Sequence, residues 1–230
     1  MTAEKSSPNS GLDENSTPTD ISNQGKAIPK SSWQRIFIDN ARLVAVALAI
    51  ALFVRIFIAE PRFIPSPSMV PTLAVGDRLL VEKVSYRLHS PQQGDIAVFE
   101  PPPQLQEYGY LPSQAFIKRV IGLPGQTVQV TQRKVYVDGQ PLVEPYLAAP
   151  PDYEMPPVQV PPGSLFMMGD NRNDSNDSHV WGFLPVQNVI GRAAFRFWPL
   201  EKISRIGNPL EPEIVQQFGS DLRSEPEPSL

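Results

Sequence analysis

The sequence predicts a mainly β fold behind one N-terminal transmembrane helix, and three observations predict it. Residues Leu43 to Val54 read LVAVALAIALFV, an unbroken apolar run with no polar face at helical spacing. From Asp77 onward the chain falls into short runs rich in β-branched and aromatic residues, parted by Gly, Pro, Asn and Asp. The 230 residues include 27 prolines, about twice the average share, which disfavours a helical bundle.

Residues 1–31 are rich in Ser, Asn, Thr, Pro and charge, too polar to offset the entropy of ordering, and read as a disordered cytoplasmic tail. Residues 36–59 read as the membrane anchor. Counted from Ala41 to Ala59, a helix would span roughly 28 Å at ~1.5 Å per residue, close to a bilayer's hydrocarbon core. Arg55 lies within a turn of its end and can snorkel to the headgroups. About forty residues precede the apolar run and no small-x-small cleavage site follows, so the segment reads as a permanent signal anchor. Lys26, Lys30, Arg35 and Arg42 precede it, whereas Glu60 and Arg62 nearly cancel behind it, which places the N-terminus in the cytoplasm and the rest of the chain on the exported side.

Residues 60–205 carry the expected strands: RLLVEKVSYRL, GDIAVFE, AFIKRVIGL, QTVQVTQRKVYVDGQPL, GSLFMMG and GRAAFRFW. The Asp138-Gly139 pair in VYVDGQPL marks a tight hairpin. EPPPQLQEYGYLPSQ and PYLAAPPDYEMPPVQVPPG read as long proline-rich surface connections, and residues 206–230 as a polar tail. The absence of cysteine excludes disulfides, thiol nucleophiles and thiolate metal sites without fixing the compartment. The formal net charge of −4 is spread along the chain and offers no footprint for nucleic acid.

Three stretches can carry chemistry. In FIPSPSMVPTL, Ser66 and Ser68 stand two apart among Pro65, Pro67 and Pro71, which are expected to hold the chain extended and point both hydroxyls one way. From Ala59 to Ser68 even an extended tether reaches only about 30 Å, so chemistry there stays near the bilayer. A serine nucleophile needs a base. His89 lies in a turn-like stretch, and His179 follows Asp177 by two, so a Ser-His-Asp arrangement and a neutral-lysine arrangement are both open. In AFIKRVIG the strand period sets Phe116, Lys118 and Val120 on one face, a lone cation in an apolar row where burial would lower its pKa. GDNRNDSNDSHVWG (Gly169–Gly182) fails as a calcium loop, because a register from Asp170 places Arg172, Ser175 and Trp181 where a ligand, the glycine and the glutamate belong. Held by apolar flanks, it could present a hydroxyl and brace it internally, for example by an ion pair between Arg172 and Asp177.

These stretches together resemble the type I signal peptidases, membrane-bound leader peptidases with a serine–lysine dyad, over about Ile36 to Trp198. PSPSMVPTL resembles the nucleophile box, GDIAVF and FIKRVIGLPGQ the following strand and lysine boxes, and GDNRNDSNDSHVWG the last box, in the family's order. The resemblance implies an antiparallel β-sheet catalytic domain of the signal-peptidase type, with Ser68 as nucleophile and Lys118 as general base. It further implies Ser66 and the backbone N–H of Ser68 as oxyanion donors, Ser175 as the lysine-orienting serine, Asp170, Arg172 and Asp177 as loop supports, and Met69 in the substrate pocket. Two departures stand out: His179 where the family often has Arg, and the order Asn173-Asp174 where it has Asp-Asn. The activity implied is removal of signal peptides from exported preproteins after small-x-small (Ala-x-Ala) sites, at a bacterial plasma membrane or thylakoid-type membrane. It implies no metal or organic cofactor, preprotein signal peptides and the lipid bilayer as partners, and no nucleic acid. The rival expectation is a non-catalytic membrane-anchored β-domain that binds a partner, with Ser68 in a linker.

Overall fold

The computed structural model describes residues 30–210, with side chains from residue 37 onward. Of the tails expected at 1–31 and 206–230, residues 1–29 and 211–230 lie outside the described residues. The chain divides into two compact units within its first helix, at Val46 and Ala47.

Helix α1 runs Lys30–Phe57, and its stretch Phe37–Phe57 is apolar and long enough, at about 32 Å for ~1.5 Å per residue, to cross a bilayer. In chain order there follow β1 (Ala59–Phe63), β2 (Arg78–Glu82), α2 (Ser85–Leu88), β3 (Ile96–Phe99), α3 (Pro103–Glu107), β4 (Phe116–Gly122), β5 (Thr127–Thr131), β6 (Lys134–Val137), β7 (Gln140–Pro141), β8 (Met155–Gln159), β9 (Ser164–Met168), α4 (Ser178–Trp181), β10 (Leu184–Pro185), β11 (Val189–Trp198) and β12 (Ser204–Arg205). The strands form an eight-stranded sheet ordered β1-β2-β11-β3-β4-β9-β10, with β12 on β11, and a four-stranded sheet ordered β7-β6-β5-β8. Every pairing is antiparallel.

Alternation along the strands builds the core. On β9, Leu165 and Met167 pack with Ala97, Phe99 and Val120 beneath α3 and α4, while Phe166 and Met168 pack with the valines of the small sheet. Both faces of β9 are therefore buried, which is why SLFMM carries no polar alternation. The third cluster joins Ile64, Met69, Leu73, Leu79, Ile96 and Ala193 behind the turn Pro67–Met69. The hairpin turn between β6 and β7 takes positive φ at both Asp138 and Gly139, as a tight two-residue connection demands.

Five expectations differ in the structure, each for a physical reason. Ala59, expected to end the anchor, opens β1, whose Pro61 is tolerated because β1 is an edge strand. The run RLLVEKVSYRL is not one strand: Glu82 accepts the N–H groups of Val84 and Ser85 at 3.1 and 3.0 Å, ending β2 and starting α2. MPPVQ, expected as loop, pairs with β5 as β8, its prolines at a register shift on a sheet edge. Pro67–Met69 is a 3₁₀ turn rather than extended chain, with proline at its start where a missing N–H costs nothing. The polar tail expected from residue 206 begins tied down: Ile206 N–H donates to Ala194 O, and buried Asn208 donates to Gln93 O at 2.8 Å.

Candidate active site

The turn Pro67–Met69 carries Ser68, and β4 carries Lys118. Pairing of β4 with β3 sets Lys118 opposite Ala97, and the strand period turns it to the face shared with Phe116 and Val120. Lys118 Nζ lies 2.6 Å from Ser68 Oγ, with Lys118 4% and Ser68 6% exposed. Burial lowers the Lys118 pKa to about 8, against the opposing charges of Asp177 and Asp170. An amine with so modest a proton affinity, touching a hydroxyl, can take that hydroxyl's proton near neutral pH. Ser66, extended at φ −128° and ψ 156°, brings its Oγ to 3.2 Å from Ser68 Oγ. All three side chains line an open cleft of about 450 Å³ together with Pro65, Phe116 and Asp174, a volume that suits a short peptide segment.

The polar loop after β9 meets the Ser68 turn through its backbone carbonyls. Asn171 N–H donates to Ser68 O at 3.0 Å and Asn171 Nδ2 to Pro67 O at 3.3 Å. Gly169 sits so close that a side-chain carbon there would collide with Ser68 O and Ser175 Oγ. Asp170, 1% exposed, takes a two-pronged contact from Arg119 at 2.8 and 2.6 Å and a hydroxyl from Thr72 at 2.5 Å. Asp177, fully buried, caps α4, accepts Gly169 N–H at 2.8 Å and meets His179 Nδ1 at 2.7 Å. Ser178 Oγ accepts Met167 N–H at 2.9 Å.

Several expected contacts differ. Arg172 does not pair with Asp177 but with Glu144, by two bonds of 2.9 and 2.5 Å, and its Nε donates to Gly169 O at 3.0 Å. The reason is direction: Arg172 points out of the loop toward residues 144–153, while both Asp177 oxygens are taken within it. His179 bonds Asp177 and stacks on Tyr153 with ring centroids 4.5 Å apart, so the His179–Asp177 pair exists without Ser68, whose partner is Lys118. Met69, expected in the pocket, has no exposed surface and packs into the third core cluster, since the 3₁₀ turn rotates it away from Ser68. Ser175 Oγ is buried and finds no hydrogen-bond partner, and it is not bonded to Lys118. His89 is exposed.

The sequence reading missed Arg119, Thr72, Glu144 and Tyr146. Arg119 is 1% exposed, and its guanidinium lies 3.9 Å from the ring centre of Tyr146. The Tyr146 hydroxyl donates to Glu144 at 2.7 Å, and burial followed by the charge of Glu144 raises its pKa, keeping it a donor. The one signal available for Arg119 is its position beside Lys118 on a strand whose other face also holds Ile117 and Ile121. Glu144 carries none, because its partner lies 28 residues away.

The family described as "Signal peptidase, peptidase S26" matches residues 37–198. The chain is 60% identical over 185 residues to "Probable signal peptidase I-1" of Synechocystis sp., covering 80% of this chain and 93% of that protein. It is 51% identical over 171 residues to "Signal peptidase I" of Leptolyngbya laminosa, covering 74% and 84%. It is 46% identical over 168 residues to "Probable thylakoidal processing peptidase 2, chloroplastic" of Arabidopsis thaliana, covering 73% of this chain and 46% of that one.

Proposed function

The chain belongs to the signal peptidase family, peptidase S26, and from that premise we propose that Ser68 and Lys118 are the nucleophile and general base with which it cuts. It is a membrane-associated serine endopeptidase that removes signal peptides, and a β-domain that merely binds a partner is not favoured. The observation that carries the residue assignment is the 2.6 Å approach of a buried lysine to a buried serine hydroxyl at the wall of an open cleft.

In the proposed reaction neutral Lys118 takes the Ser68 proton while Oγ attacks the scissile carbonyl. The oxyanion is met by the Ser66 hydroxyl and the Ser68 N–H. The Lys118 ammonium then gives its proton to the departing amine, leaving an acyl-enzyme on Ser68. Lys118, neutral again, activates water for deacylation. Ser175 is the group we assign to orienting Lys118, its unpartnered hydroxyl being free to turn toward the amine as the lysine changes charge. Asp170, Arg172 and Asp177 support the loop, through Arg119, Glu144 and His179 respectively.

The substrate is a preprotein presented as an extended strand, with small residues at the first and third positions before the cut. The anchor and the substrate's own apolar segment share a bilayer, which raises effective concentration at the site. The basic residues before the span support an orientation with residues 1–35 cytoplasmic and the catalytic unit on the exported side.

The test is cleavage of a detergent-solubilised precursor with an Ala-x-Ala site by wild type, Ser68→Ala and Lys118→Met, each checked for folding by circular dichroism. Cleavage after the last alanine by wild type alone is expected. Equal cleavage by all three would remove Ser68 and Lys118 from the reaction.

A further inference from the structure

Residues 144–153, all but Glu144 within the stretch expected as a proline-rich surface connection, meet the catalytic loop through three contacts and β4 through a fourth, each of different chemistry. Glu144 holds Arg172 with both oxygens, their side chains 6% and 0% exposed. Tyr146 spreads its ring over the Arg119 guanidinium and gives its hydroxyl to Glu144. Asn173 Oδ1 accepts Asp152 N–H at 2.9 Å while its Nδ2 donates to Pro150 O at 3.1 Å. Tyr153 stacks on His179. We propose that this strap is a positioning element of the catalytic centre, with Glu144 and Tyr146 as positioning residues that fix the nucleophile's backbone through Arg172 and Arg119.

The path from strap to nucleophile is short and made of single bonds. Glu144 orients Arg172, whose Nε holds Gly169 O at 3.0 Å. Two residues after Gly169, Asn171 binds the Ser68 and Pro67 carbonyls. On the other side Tyr146 covers Arg119, which neighbours Lys118 on β4 and locks Asp170, the residue between Gly169 and Asn171. Tyr146 thus bridges both guanidinium–carboxylate pairs, one reaching the serine and one flanking the lysine. Exposed ion pairs of this kind contribute little, but these are buried and two-pronged, so each fixes a geometry that water cannot relax. Displacement of an aligned nucleophile by about 1 Å can cost about a hundredfold in rate. Substrate meets the cleft and not the strap, because neither Glu144 nor Tyr146 lines the cleft.

The proposal rests on the Ser68–Lys118 reading, and the experiment separates the two. The full-length protein in detergent with lipid is assayed on the Ala-x-Ala precursor as Glu144→Gln, Tyr146→Phe and Tyr146→Leu. Val81→Ala, a core truncation on β2, which pairs with β1 and β11 and makes none of the strap's contacts, serves as a control for loss of stability alone. All are measured at a temperature where circular dichroism shows them folded. Glu144→Gln and Tyr146→Leu are expected to lose at least about tenfold in kcat with KM within about twofold, and Tyr146→Phe, which keeps the ring over Arg119, to recover most of the loss seen in Tyr146→Leu. Val81→Ala is expected to keep wild-type kcat. The proposal is overturned if the folded variants keep kcat within threefold, if KM alone rises, or if Val81→Ala loses as much. Should Glu144→Gln not fold, the two Tyr146 variants decide by the same criteria. Cleavage by Ser68→Ala at the wild-type rate would instead sink the dyad and leave the strap's effect on kcat to be read on its own.

Discussion

Replacing Lys118 with methionine is expected to abolish cleavage and, at neutral pH, to stabilise the fold. Burial lowers the Lys118 pKa from 10.5 to about 8, and that shift is a stability statement. Below pH 8 the lysine is protonated in both states, and the folded protein bears the full cost of a buried ammonium. At about 1.4 kcal/mol per pKa unit that cost is roughly 3 kcal/mol at pH 7. The folded pKa is depressed, so the stability contributed is complete only above the unfolded pKa of 10.5 and is lost as pH falls through 8. At pH 10 the residual cost is about 1 kcal/mol. Methionine has similar length and no charge to bury, but it gives up the 2.6 Å bond to Ser68, worth about 1 kcal/mol. Lys118→Met should therefore exceed wild type by about 2 kcal/mol at pH 7, and the advantage should vanish near pH 10. Urea unfolding of both proteins in one detergent at pH 7 and pH 10, followed by tryptophan fluorescence, measures the difference. A methionine variant less stable than wild type at pH 7, or a difference independent of pH, would refute a buried lysine of low pKa.

The same lysine predicts that kcat/KM climbs with pH through an apparent pKa near 8; a limb rising only above pH 10 would place the base in solvent. Asp170→Asn leaves the Arg119 guanidinium buried and unpaired, so chemical denaturation should show a loss of about 3–5 kcal/mol. Gly169→Ala drives a methyl against Ser68 O and Ser175 Oγ, and single-turnover cleavage should slow by about a hundredfold in a protein that still folds. Ser175→Ala removes a hydroxyl that has no partner, so urea unfolding should move by no more than about 1 kcal/mol, while kcat falls if that hydroxyl aligns Lys118.

What the sequence disclosed of fold and site was what short-range periodicity governs. The Asp138-Gly139 turn, the strand Phe116–Gly122 and the apolar row about Lys118 follow from spacings of two residues, and the structure has each of these elements. Elements set by a distant partner stayed hidden. AEPRF contains Glu, Pro and Arg, and becomes β1 only because β2 offers it an edge. MPPVQ becomes β8 by its pairing with Thr127–Val130. Within the site, the strand period puts Lys118 on one face of β4 and Arg119 on the other, but no local pattern gives Arg119 a role, since its burial depends on Asp170, 51 residues on. The bracing of Arg172 was assigned inside its own loop because no local pattern points to Glu144.

Only Ile58 separates α1 from β1, and the strand that follows pairs at once with β2, where Lys83 N–H donates to Ile58 O at 2.8 Å. There is no slack in that junction. If α1 lies in the bilayer and Ser68 is the nucleophile, as proposed, that junction limits how far the reacting serine can stand from the lipid, and the enzyme becomes a ruler. On that reading a precursor whose cleavable bond stands too few or too many residues from its own hydrophobic stretch does not bring that bond to Ser68, however well its side chains fit. Recognition by the cleft is then joined to a measurement of length, made by the short span from Phe57 to Ser68.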